Sequence, residues 1–165
     1  MKNILVLIVV VFSISCSSKM DTTPRNINFD RDACVTCLMG IAEKNYAVQA
    51  INPRGKTIWF DDIGCFVEYL DDANWKKFKI DGEPVVWIAD ADTGEWLNIY
   101  KAFYRFGDRT PMGYGYGASK EKKEGYFDYN TTVQRIKEGK TKRDEFKKLK
   151  KSQGGMKCAP GKCGK

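Results

Sequence analysis

Nine consecutive apolar residues, Ile4 to Phe12, follow Met1-Lys2-Asn3 and run into Ser13-Ile14-Ser15-Cys16. A helix needs about 20 apolar residues to cross the hydrocarbon core of a bilayer, so this run is too short to be a span. A basic leader, a short apolar stretch and a small-residue exit make it a secretory signal. That assignment constrains the fold more than any other feature. It removes residues 1–15 from the folded protein, leaves about 150 residues, and places them in an oxidising compartment. Such a length suits one compact domain with tails.

Cys16 at the signal exit resembles a bacterial lipobox cysteine, with Ser17-Ser18-Lys19 and a polar stretch to Asn28 reading as a tether. Multiple acylation at such a cysteine anchors a chain firmly, whereas one acyl chain binds only marginally. The expectation is an envelope lipoprotein facing the periplasm, lipidated at Cys16.

The chain carries 28 Lys+Arg against 21 Asp+Glu, a net of +7, unevenly placed. Residues 119–165 hold 15 basic and 6 acidic side chains, a net of +9, leaving −2 for the rest. A basic segment can attract nucleic acid or an anionic membrane surface. Export makes nucleic acid a poor partner, so the segment reads first as a solvated helix face with a tail, and second as a weak membrane attractor.

Six cysteines are present. With Cys16 lipidated, Cys34, Cys37, Cys65, Cys158 and Cys163 remain. An odd number cannot pair completely within one chain, which argues against a purely disulfide-stapled scaffold. There is no histidine. Its absence removes Ser-His-Asp and Cys-His catalysis and every imidazole metal motif, so any metal site must be built from sulfur and oxygen.

Along the chain, residues 16–32 read as a tether and folding is expected from near Ala33. Tyr46 to Ile51 and Lys56 to Phe60 read as strands joined by the turn Asn52-Pro53-Arg54-Gly55. Asp61 or Asp62 can cap a helix whose apolar stripe is Ile63, Phe66, Val67 and Leu70. Glu83 to Ala89 and Trp96 to Ile99 read as strands about the turn Asp92 to Glu95, and Lys101 to Phe106 is ambiguous. Thr110 to Gly117 is expected to be a loop, its proline and glycines breaking any helix. Thr131 to Leu149 suggests one or two basic helices, and residues 152–165 a flexible tail. The sum is a single α+β domain: residues 33–130 form its body and residues 131–151 a basic helical segment.

Soft ligands concentrate in Cys34-Val35-Thr36-Cys37-Leu38-Met39, with two thiols and a thioether in six residues. Thiolate and thioether favour soft ions, above all Cu(I). C-x-x-C also suits disulfides, zinc and redox exchange. Zinc would want four ligands at closed spacing, and the redox motif a preceding apolar strand where this chain has a polar linker. Cys65 faces almost away from the apolar stripe of its helix. It reads slightly more as half-buried filler than as a functional thiol, though the helix start would favour its thiolate. Met112, flanked by Pro111 and Gly113, is as much a ligand candidate as a packing residue. Met156, Cys158 and Cys163 repeat the theme on the tail, with a local Cys158–Cys163 disulfide as the equal alternative.

Taken together, Cys34-Val35-Thr36-Cys37-Leu38-Met39-Gly40, Phe60-Asp61-Asp62-Ile63-Gly64, Lys101-Ala102-Phe103-Tyr104 and Thr110-Pro111-Met112-Gly113 resemble the NosL lipoproteins. These are copper chaperones for the maturation of nitrous-oxide reductase. The resemblance covers roughly residues 33–118, with Leu38 standing where that family usually has glycine. It implies a ββαβ-type fold shared with the organomercurial lyase MerB, bound Cu(I) and no catalysis. It also implies Cys34, Cys37, Met39 and Met112 as ligands, with Cys65, Met156, Cys158 and Cys163 as further candidates. The implied partner is apo nitrous-oxide reductase or its assembly factors. The rivals are a thiol–disulfide oxidoreductase or a lyase using Cys34, Cys37 and Cys65, and a disulfide-bonded structural lipoprotein.

Overall fold

The computed structural model describes residues 21–152. Its centre is an antiparallel sheet built from β1 (Val48–Ile51), β2 (Thr57–Phe60), β3 (Val85–Ala89) and β4 (Trp96–Asn98), in the order β2-β1-β3-β4. β1 lies between two neighbours and is buried throughout, which matches its small and β-branched residues. Its one polar member, Gln49, is fully buried and satisfied by the main chain of Arg25, accepting its N–H and donating to its carbonyl. The β1–β2 hairpin turns where expected. Asn52 Oδ1 accepts from the N–H groups of Arg54 and Lys56, and Gly55 takes φ 78°.

α1 (Ile63–Tyr69) follows β2 directly, with Asp62 as its N-cap accepting from Gly64 N–H at 3.1 Å. Ile63, Phe66 and Val67 are buried, and Phe66 meets Phe60 and Trp75 edge-on. A second pair, β5 (Phe103–Phe106) and β6 (Tyr116–Ser119), packs with α3 (Tyr129–Lys137), and α4 (Lys142–Ser152) closes the described chain. The expected α+β class is found. Among the described residues, no helix is long and apolar enough to cross a membrane.

Four local expectations are corrected. The first strand starts at Val48, because Lys44 to Tyr46 form a turn closed by Ala47 N–H to Lys44 carbonyl, with Tyr46 at φ 90°. The loop from Thr110 ends at Gly115, since Tyr116 and Gly117 pair with Phe106 and Arg105 in β6. An additional helix, α2 (Ala73–Phe78), is capped by Asp72 and buries Trp75 and Phe78. The segment before Ala33 also lies on the domain rather than leading up to it. Trp87 Nε1 donates to the Thr22 carbonyl, Arg25 pairs with Gln49, and Ile27 packs on the core.

Candidate metal centre

Cys34 and Val35 extend the sheet beside β2: Cys34 bridges Trp59 in parallel, and Val35 N–H donates to the Trp59 carbonyl at 3.0 Å. The chain then doubles back. Leu38 N–H donates to the Cys34 carbonyl, Cys34 N–H to the Met39 carbonyl, and Ala33 bridges Gly40. Closing so short a loop puts Leu38 at φ 63°, in the left-handed region that favours glycine.

β2 feeds through Asp61 and Asp62 into α1, which brings Cys65 in the first helical turn against that loop. The Thr36 hydroxyl donates to the Cys65 carbonyl at 2.9 Å and fastens loop to helix. The sulfurs of Cys34, Cys37 and Cys65 all lie within 4.8 Å of one another. Metal–sulfur bonds of about 2.3 Å put three trigonal sulfurs about 4 Å apart, so small side-chain adjustments would let all three reach one ion. Cys34 and Cys65 are each 1% exposed, while Cys37 is half-buried and forms the open side. Cys65 is fully buried where a half-buried position was expected, and the face turned from the apolar stripe is covered by the Cys34–Met39 loop.

The thiols share protons unequally. The Cys65 thiol donates to the Cys34 sulfur and brings Cys34 down to about 5. Burial opposes this shift, and N–H groups of Cys37, Asp61 and Thr36 reinforce it. Cys37 N–H stands 3.5 Å from that sulfur. The same hydrogen bond, then burial, pushes Cys65 far up, and burial raises Cys37. At neutral pH the group is one thiolate wrapped by donors and two thiols. Asp61, whose carboxylate accepts from Ala42 N–H at 3.0 Å, is raised by burial.

Met39 ends the loop, half-exposed, with its carbonyl held by Cys34 and its N–H facing the Cys37 sulfur. Met112 is half-buried against the core in the loop that Asp62 secures. Asp62 is wholly buried. It accepts from the Thr110 hydroxyl and faces the N–H groups of Met112 and Tyr114. Tyr114 lies flat on Gly64, where a Cβ would fall 2.0 Å from its ring. The loop carrying Met112 is thus fixed over the start of the helix carrying Cys65. Sequence reasoning missed Asp62 as this staple, although its position before Ile63 already marked a cap. The candidate residues Cys16, Met156, Cys158 and Cys163 lie outside the described residues.

No family profile and no curated protein matches the chain. A solved structure does resemble it: the crystal structure of the copper chaperone NosL from Shewanella denitrificans. The two share 16% sequence identity at a TM-score of 0.50, over 70% of this chain and 89% of that one. The likeness establishes a NosL-like α+β fold.

Proposed function

We propose that this chain is a Cu(I)-binding envelope lipoprotein, anchored through Cys16, that delivers copper to apo nitrous-oxide reductase or its assembly factors. The observation that carries the reading is the convergence of the Cys34, Cys37 and Cys65 sulfurs on one point at the edge of the domain. Thiolates favour Cu(I), whereas a structural zinc site wants four ligands, and no histidine exists to supply one. Met39 and Met112 are the thioethers that would supplement the cysteines in this reading.

The arrangement suits transfer. Cys34 and Cys65 are sealed inside, but Cys37 faces outward, so an incoming sulfur or imidazole would displace Cys37 first and draw the ion off by stepwise ligand exchange. A disulfide oxidoreductase needs the opposite arrangement. Its attacking thiolate must be accessible, yet here the depressed Cys34 is buried and the more exposed Cys37 is raised. This arrangement favours a carrier over a thiol–disulfide oxidoreductase.

The test is transfer itself. Copper-loaded protein mixed with apo nitrous-oxide reductase, then separated, should leave copper in the reductase and reduced protein behind. Met112→Ile should weaken Cu(I) binding without lowering the melting temperature. Retention of all copper by the donor, under conditions where free Cu(I) loads the acceptor, would rule out delivery to this recipient.

A further inference from the structure

The outermost helix is unlike the others. α4 buries none of its residues, and Phe146 and Leu149 stand 58% and 57% exposed. At 100° per residue they lie about 60° apart, forming a narrow apolar edge. Lys150 Nζ sits 4.9 Å over the Phe146 ring. Only the start of the helix is held. Lys142 and Arg143 N–H groups donate to the carbonyls of Tyr114 and Gly113, the Arg143 guanidinium lies 3.9 Å over Tyr114 and pairs with Glu68, and Asp144 is occupied by Thr141 and Lys147. Beyond that turn the charge is all positive. Among the described residues Lys148, Lys150 and Lys151 have no ion-pair partner, and residues 153–165 add Lys157, Lys162 and Lys165 with no acidic side chain.

We propose that α4 lies along an anionic membrane surface, with Phe146 and Leu149 entering the headgroup–acyl boundary and the lysines meeting lipid phosphates. A short basic helix with a large aromatic and a leucine on one edge is the chemistry of interfacial binding, and lysine stems reach outward from a partly immersed helix. A protein groove would read anchors over two helical turns at i, i+3, i+4 and i+7, and α4 offers two. A second copy of the chain would bring the same lysines face to face. Because the first turn of α4 is bonded to Gly113 and Tyr114, the docked helix would also orient the Met112 loop and the open Cys37 relative to the membrane plane.

The experiment is hydrogen–deuterium exchange on the full chain reconstituted into vesicles of phosphatidylcholine alone or of phosphatidylcholine with phosphatidylglycerol. An anchor at Cys16 or the apolar run Ile4 to Phe12 would hold the protein on both, so the readout is local to α4. Amides of residues 144–152 should exchange severalfold more slowly on the phosphatidylglycerol vesicles, and high salt should remove the protection. Phe146→Ser with Leu149→Ser, or Lys148→Glu with Lys150→Glu and Lys151→Glu, should abolish it while exchange in β1 and β3 stays unchanged. Equal exchange on both vesicles, protection indifferent to salt, or protection that grows with protein concentration in lipid-free detergent would each overturn the proposal.

Discussion

The proton between Cys34 and Cys65 decides what the sulfur group can bind. With Cys34 held near 5 and the other two thiols raised, the site enters neutral solution carrying one negative charge and two protons. A soft ion taking all three sulfurs must therefore release about two protons, because a ligating thiol is deprotonated. Copper uptake followed in weakly buffered solution at pH 7 checks this directly. About two protons per ion are expected from the three cysteines, and release below one in the native chain would rule out a three-thiolate site. Leu38 carries a second residue-scale consequence. A left-handed backbone costs a non-glycine residue about 1–2 kcal/mol, and glycine's extra freedom when unfolded returns about 0.5–1 of it. Leu38 is exposed and gives up little burial, so Leu38→Gly should raise stability by up to about 1 kcal/mol in chemical denaturation. Of these residues, Cys34 and Cys37 were legible from spacing alone. The approach of Cys65 to that pair was not legible, because a helical wheel says which face a side chain takes and nothing about what covers that face.

Among the elements, α1 does most to organise the site, and Asp62 ties it to the loop that holds Met112. Burial pushes the Asp62 carboxyl up to about 6, against 3.8 in the open chain. Between those values the folded protein keeps a proton that the unfolded chain has released. This contribution is therefore fully present below 3.8 and is lost as pH rises through 6. Asp62→Asn removes it. Comparing denaturant midpoints of the two proteins, the native chain should gain on the order of 2–3 kcal/mol relative to the variant as pH falls from 7 to 4. A constant difference would mean that the carboxyl titrates normally. The hairpin and α1 were readable because turn residues and a helix-spaced stripe coincide there. β6 was hidden because its Tyr116-Gly117 carries the same glycines that end a loop, and only pairing with Arg105 and Phe106 across the sheet makes it a strand. α2 left a readable signal in Asp72 ahead of Trp75 and Phe78, a cap and one buried face over six residues.

At the scale of the whole molecule, the four-stranded sheet supplies one edge, β2, on which the Cys34 loop is built, and the chain leaving that edge becomes the helix that completes the sulfur group. The α+β class followed from the alternation of strand and helix signals. The ordering of residues 21–32 did not, since a polar stretch is silent about a sheet face waiting to accept it. Charge is segregated to match this plan, with the basic residues on the outer helices and a near-neutral body around the cysteines. The central claim is that the described domain, not the cysteine-bearing tail, holds copper. A competition titration against a Cu(I) chelator tests it most directly, using the native chain, Cys34→Ser, Cys37→Ser, Cys65→Ser and the double variant Cys158→Ser with Cys163→Ser, each shown by thermal melt to be folded. The prediction is about one tightly held Cu(I) in the native chain and in the tail variant, preferred over Zn(II), with tight binding lost in each of the three domain variants. Copper lost from the tail variant and retained by Cys34→Ser and Cys37→Ser would contradict it.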